Sequence, residues 1–139
     1  MVEETPYLSI IIPTLASYNA KSDGLLASCI EAIKKHTTVS YEIIVESNYY
    51  EGFTIPVNRG LRKSRGKIIV LMNDDVVVGE GWHDKPAEIL GSHEGFGIVG
   101  SPIFREKFGR PITSFWLVFL RRDTYELLGE LDESMGLYY

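Results

Sequence analysis

The stretch Lys67-Ile-Ile-Val-Leu-Met-Asn-Asp-Asp-Val-Val-Val78 decides the reading of this 139-residue chain. It is apolar, then acidic at one point, then apolar again. Ile68 to Met72 has the composition and length of a buried strand and is too short for a helix of that hydrophobicity. Asn73-Asp74-Asp75 interrupts it. Asp and Asn are poor strand formers, so the adjacent carboxylates mark the strand's end. Placed there, they repel each other unless a cation or a hydrogen-bond donor lies between them. In open α/β sheets ligands bind in the crevice at the carboxyl ends of the strands. The acidic tip is therefore a candidate site for a divalent metal and, through it, for the phosphates of a ligand.

Upstream, Leu8-Ser-Ile-Ile-Ile-Pro13 reads as a buried strand ended by Pro13. Thr14 to Asp23 is a loop in which Ser22 or Asp23 can cap a helix. Leu26, Cys29, Ile30 and Ile33 recur at helical spacing, and Lys34, Lys35 and His36 fall in the last turn, where cations suit the helix dipole. Tyr41-Glu-Ile-Ile-Val45 is a second strand, ending at Glu46-Ser47-Asn48. After a loop, a helix runs from Thr54 to Arg65, with Thr54 capping, Pro56 in the first turn and Gly66 as the stop.

Downstream, a short helix spans Asp84 to Leu90 and is closed by Gly91. Gly97 to Ser101 is a strand, and Pro102 to Pro111 is a loop or irregular hairpin. Ser114 to Leu120 is a buried strand, and Asp123 to Leu128 is a helix with capping-box spacing and Gly129 beyond it. The tail from Leu131 is acidic and aromatic, without a clear period. Strands and helices that alternate in this way predict an α/β fold, a three-layer, mostly parallel sheet between helices, in one domain over 1–139. Parallel strands would bring Thr14, Glu46 and Asn73-Asp74-Asp75 to one edge.

Composition narrows the function. A net charge of -5 with no basic run makes nucleic acid an unsuitable partner. The single cysteine, Cys29, cannot form an intramolecular disulfide and reads as a small buried residue in a reducing compartment. The acidic N-terminus lacks the features of a signal peptide, and no apolar run is long enough to span a bilayer. A cytoplasmic protein is expected, with peripheral membrane association left open. No Gly-x-Gly-x-x-Gly follows the first strand and no P-loop is present, which disfavours a dinucleotide fold and a P-loop NTPase. His36, His83 and His93 lack metal-ligand spacing and read as surface or core residues. Trp82, Trp116, Phe115 and Phe119 read as core.

Hard cations take oxygen ligands, and Mg²⁺ or Mn²⁺ is commonly held by one or two carboxylates together with ligand phosphates. If the strand continued, residues 73 and 75 would point one way and 74 the other. Asp75, with Asn73 through water, is then the metal candidate, and Asp74 faces the nucleotide sugar or a basic residue. A polar turn that merely caps the strand explains the same three residues. Glu46 can accept from a base N–H or a ribose hydroxyl, or it is a solvated carboxylate. Arg59 can pair with a phosphate. Arg62, Lys63 and Arg65 read equally well as a solvated helix face.

Taken together, these residues resemble the family 2 glycosyltransferases of the GT-A fold. Ser9-Ile-Ile-Ile-Pro-Thr14 is similar to the family's opening strand, and Tyr41-Glu-Ile-Ile-Val-Glu46 to its second strand, whose terminal acid contacts the base. Gly52 to Gly60, through Asn58-Arg59, resembles the helix before the metal strand. Ile69 to Asp75 resembles the metal-binding acidic motif. Arg121-Arg122, Leu128-Gly129 and Leu131-Asp132-Glu133 are similar to a later block on the acceptor side. Each piece is weak, but their order over about Leu8 to Tyr138 is specific.

The resemblance implies transfer of a sugar from a nucleotide-diphosphate-sugar donor to an acceptor hydroxyl, with inversion and with Mg²⁺ or Mn²⁺ at Asp75 and Asn73. It implies nucleotide contacts at Pro13, Thr14, Glu46, Asn58, Arg59 and Asp74. The acceptor, whether glycan, lipid or protein, is not identified, and a homo-oligomer remains open. The sequence departs from the pattern at Glu46, where Asp is usual, and at Leu15, where an aromatic is common. The acidic pair that usually follows the Tyr-Tyr position is missing, which leaves Asp132 or Glu133 as the catalytic base. The alternatives are a nucleotide-sugar-binding module lacking full catalysis, dependent on a partner or a further segment, and, more weakly, a nucleotidyltransferase.

Overall fold

The computed structural model describes residues 3–16, 20–48, 51–105 and 109–135. Its strands are β1 (Leu8–Thr14), β2 (Tyr41–Ser47), β3 (Ile68–Met72), β4 (Ile98–Arg105) and β5 (Arg110–Arg121). Its helices are α1 (Ala20–His36), α2 (Thr54–Lys63), α3 (Asp84–Ser92) and α4 (Arg122–Leu128), followed by a 3-10 turn at Glu133–Met135. The five strands form one sheet in the order β2-β1-β3-β5-β4. β1 pairs parallel with β2 and with β3, whereas β5 runs antiparallel to both β3 and β4. Four of the five strands therefore share a direction, and β5 opposes them.

The chain steps from β1 to β2 on one side and then back across β1 to β3. Two right-handed crossovers with opposite steps must place their helices on opposite faces. Side-chain alternation shows this result. Leu8, Ile10, Ile12, Ile68, Val70 and Met72 pack with Cys29, Ala32 and Ile33 of α1 and with Ala87 and Leu90 of α3. Ile11, Ile69, Leu71 and Val118 pack with Val57 and Leu61 of α2, and Tyr125 of α4 joins them. The result is a three-layer α/β fold with the sheet in the middle.

Two close approaches fix how β1 meets its neighbours. A Cβ on Gly60 would lie 2.4 Å from Ile11 Cγ2, so α2 sits directly on β1. A Cβ on Gly66 would lie 2.5 Å from the Ser9 backbone nitrogen. Both positions require a residue without a side chain.

Several expectations from the sequence change. β1 continues through Pro13 to Thr14. The Thr14 carbonyl accepts from Asn48 N–H of the β2 end at 2.7 Å, so Thr14 faces β2 and Pro13 faces β3. Pairing with β3 stops at Ile11, because Pro13, the next residue on that side, has no N–H to extend the ladder. Of the two expectations for Pro102 to Pro111, the irregular hairpin holds: β4 and β5 pair antiparallel, with Arg105 opposite Arg110 and a register shift between Gly100 and Ser101. Backbone pairing extends the strands beyond what their apolar residues indicate. Phe115 is not a core residue; it is 44% exposed. α2 ends at Lys63, two residues before the expected Arg65, and Phe53 rather than Thr54 is its N-cap. α1 begins at Ala20, before either of the expected caps. The expected capping box at Asp123 is not made; its carboxylate binds the Arg121 guanidinium instead.

Candidate active site

The switch in strand order lies between β1 and β3, and that is where a crevice opens at the carboxyl ends of the strands. β3 stops at Met72, and Asn73, Asp74 and Asp75 form a turn closed by Val76 N–H on the Asn73 carbonyl at 3.3 Å. The alternation of a continuing strand therefore does not apply here. Asp74 turns across the gap, and its Oδ2 accepts the Thr14 hydroxyl at 2.6 Å. The same hydroxyl oxygen accepts Ala16 N–H at 2.9 Å. Thr14 thus links the β1 end to the β3 end. Asp75 is exposed, and among the described residues none donates a hydrogen bond to it. The Asn73 backbone is engaged inward, with its N–H on the Trp116 carbonyl at 3.0 Å and its carbonyl near Cys29 Sγ at 3.8 Å.

The tip is electrostatically negative. Cys29 lies beneath it, and burial, followed by the charges of Asp74 and Asp75, pushes its thiol up to about 11. The donor set suits a hard divalent cation. It offers an exposed carboxylate and a second whose Oδ1 accepts no hydrogen bond among the described residues, and phosphate or water would complete the shell. No cluster of three or more His, Cys, Asp or Glu suited to a metal occurs among the described residues, so any metal held here needs ligand oxygens as well.

A second group lies at the same edge on the α2 face. Glu46 pairs in register with Pro13 and is 5% exposed. Its carboxylate accepts Arg59 Nε at 3.2 Å and also binds the Lys63 ammonium. Arg59 Nη1 reaches Glu51 at 2.8 Å, and its Nη2 reaches the Ser47 carbonyl at 2.6 Å. Hydrogen bonding to Glu51, and then to Glu46, raises the Arg59 pKa against the opposing effect of burial. Lys63 and Glu51 carried no distinctive sequence signal. Helical spacing places Lys63 one turn after Arg59, and that was the available cue. Thr14 shares its face with Ile10 and Ile12, toward α1, so the Thr14–Asp74 pair and the Glu46–Arg59 pair leave opposite faces of one sheet edge.

The remaining candidates meet at the junction of α2 with the segment beyond α4. Asn58 is fully buried, and among the described residues its side chain hydrogen-bonds that segment and not the Glu46 group. Its Nδ2 donates to the Leu131 carbonyl at 2.9 Å and to Glu133 Oε1 at 3.0 Å, and its Oδ1 accepts Leu131 N–H at 2.9 Å. Asp132 Oδ1 accepts the Ser134 hydroxyl and backbone N–H at 2.7 and 2.9 Å, which holds its carboxyl below the ordinary range. A carboxylate held low is a weak proton acceptor.

Arg121 and Arg122 lie at the opposite edge, because β5 runs antiparallel and Arg121 pairs with Ile68 at the start of β3. A cavity of about 600 Å³ opens there beside Tyr7, Arg65, Lys67 and Arg122. Its arginines are engaged in holding that end of the fold. Arg65 binds Glu42 and Glu3, Arg121 binds Asp123, and Arg122 donates to the Gly66 carbonyl and the Ser64 hydroxyl. The carboxyl ends of the strands, not this cavity, carry the candidate chemistry. Tyr49, Tyr50, Tyr138 and Tyr139 lie outside the described residues.

This is the fold of the GT-A-type glycosyltransferases. The mannosyltransferase PcManGT from Pyrobaculum calidifontis, solved with GDP-Man and Mn²⁺, superposes with a TM-score of 0.70 at 17% identity, over 94% of this chain and 48% of that one. TarS 1-349 of S. aureus superposes with a TM-score of 0.67 at 12% identity, over 91% of this chain and 50% of that one. The chain spans about half the length of these structural neighbours. No protein-family model and no curated protein sequence matches it. Among the described residues, no helix is long and apolar enough to cross a membrane.

Proposed function

We propose that the chain binds a nucleotide-diphosphate-sugar donor with Mg²⁺ or Mn²⁺ and transfers the sugar to an acceptor hydroxyl, with inversion. One observation carries this reading. At the sheet's switch point Asp74 is tied back by Thr14 while Asp75 is exposed and has no hydrogen-bond partner among the described residues. That arrangement sits in a fold shared with a mannosyltransferase solved with GDP-Man and Mn²⁺.

A donor that touches both candidate groups lies across the strand edge over Pro13 and Thr14. Glu46 accepts from the base or ribose on the α2 side, and Arg59 orients Glu46 and offers a cation to phosphate. Thr14 fixes the Asp74 carboxylate. Asp75, with Asp74 or Asn73, would hold the metal, which when bound supplies Lewis-acid stabilisation of the leaving diphosphate. The acceptor oxygen bonds to the anomeric carbon as the bond to the diphosphate oxygen breaks, and a carboxylate takes the acceptor's proton. Glu133 is the better base of the two tail carboxylates, since Asp132 is held low by Ser134.

Titration calorimetry with GDP and UDP, with and without Mn²⁺, tests this reading. Binding should require the metal, and Asp75→Ala should weaken it by at least about tenfold. Equal binding in EDTA, or by Asp75→Ala, refutes the metal role. A second reading is a donor-binding module that needs another segment or partner for turnover. It is favoured by the engagement of Glu133 with Asn58 and of Asp132 with Ser134. Metal-dependent binding without donor hydrolysis or transfer would select it.

A further inference from the structure

We infer that Asn58 is a positioning residue that latches the Leu131–Glu133 segment to α2 and so sets the location of the Glu133 carboxylate, rather than a nucleotide contact. The side chain is fully buried, and both ends of its amide are spent on the segment. Its Oδ1 and Nδ2 meet the N–H and the carbonyl of Leu131, as a strand partner would, at 2.9 Å each. That double contact fixes both the position and the direction of the backbone. Nδ2 has two hydrogens, and the second goes to Glu133 Oε1 at 3.0 Å. No donor is left on the amide for a ligand.

The neighbouring turn of α2 reinforces the attachment. Arg62 donates to both oxygens of Glu130 at 2.7 Å and lies 3.8 Å from Glu133 Oε1. α4 starts at the foot of the sheet, where Arg122 N–H meets the Lys67 carbonyl at 3.0 Å. The segment beyond Gly129 has few anchors of its own, since Asp132, Glu133 and Ser134 are exposed. Leu131 packs on the Ile11 and Val57 side of the core, and Asn58 supplies the polar half of that dock. Arg59, the next residue along α2, binds Glu46. Successive residues of one helix therefore hold the proposed base-contact carboxylate and the proposed proton acceptor. A helix turn is stiff, so α2 fixes the separation of the two groups.

The consequence for turnover rests on the glycosyl-transfer reading, whereas the consequence for the tail does not, and the two are measured separately. Backbone hydrogen exchange of the wild-type chain should show the Leu131 amide protected at least about 100-fold. In Asn58→Ala that protection should fall below about tenfold. Asn58→Asp keeps the acceptor for Leu131 N–H but loses both donated bonds, and should give an intermediate value.

For transfer, Asn58→Ala should lower kcat by about tenfold or more while KM for the donor moves less than about twofold, because positioning acts on the reacting geometry. An unprotected Leu131 amide in the wild type overturns the latch, and this measurement needs no variant to fold. A rise in donor KM matching the fall in kcat overturns it in favour of a nucleotide contact. A wild-type chain that turns over no donor sinks the glycosyl-transfer reading, and Leu131 exchange then decides the latch alone.

Discussion

Replacing Glu46 with Gln keeps the side chain's volume and removes its charge from beneath Arg59 and Lys63. The side chains of the two partners are 32% and 62% accessible, while that of Glu46 is 6% accessible. Charge-assisted hydrogen bonds contribute about 1.5–3 kcal/mol when buried. Partners this exposed recover hydration, which brings each pair toward the surface range of roughly 0.2–1 kcal/mol. Arg59 also keeps Glu51 and the Ser47 carbonyl. The stability cost of Glu46→Gln is therefore about 1–2 kcal/mol, or a fall in Tm of roughly 3–8 °C for a chain of this size.

The functional cost is separate. A carboxylate that accepts from a base N–H or ribose hydroxyl does so with its charge, and Gln can also present the wrong end of its amide. Nucleotide affinity should fall by about tenfold, near 1.4 kcal/mol. Differential scanning fluorimetry reads the first quantity and calorimetry with GDP, UDP and Mn²⁺ reads the second, with Lys63→Ala as the comparison that leaves the carboxylate in place. An unchanged Kd in Glu46→Gln refutes contact between Glu46 and the ligand. A Tm loss beyond about 10 °C refutes the screening argument and makes the Glu46 cluster a structural keystone.

Thr14→Val removes the donor to Asp74 and leaves the Ala16 N–H without its acceptor. It should cost about 1–3 kcal/mol in chemical denaturation, whereas Thr14→Ser should stay within about 1 kcal/mol of wild type. Gly66→Ala drives a Cβ to 2.5 Å from the Ser9 backbone, which only a shift of β1 or β3 relieves, so a loss of about 3 kcal/mol or more is expected. A wild-type Tm in that variant would show the β1–β3 spacing to be looser than described. Burial acts to raise the Glu42 carboxyl, but hydrogen bonds from Ser9 and from the Arg65 backbone and side chain outweigh it and hold it below the ordinary range. Glu42 therefore contributes stability above its unfolded value of about 4.3, and this is lost as pH falls through the lower folded value. The stability gap between wild type and Glu42→Gln should be full at pH 7, begin to shrink as pH falls below about 4.3, and close only below the lower folded value; a constant gap would refute the assignment.

The sequence by itself determined the layers. Short continuous apolar runs and helical spacing, together with the punctuation at Pro56, Gly66 and Gly129, separate strands from helices because burial acts on each residue locally. It also determined that acidic and polar residues fall at the ends of three strands. The order of those strands, and the pairings made across it, required the tertiary structure. β5 runs antiparallel, which carries Arg121 and Arg122 to the foot of the sheet, away from the acidic tip. The hairpin from Ile98 to Arg121 outruns its apolar residues because a ladder is held by backbone groups that every residue carries. Asn58 looked like its neighbour Arg59 in the motif, yet the helix turns adjacent side chains about 100° apart. One went to Glu46 and the other to Leu131, 73 residues further along the chain. Which partner a polar side chain meets depends on what the fold brings opposite it, and no local pattern encodes that.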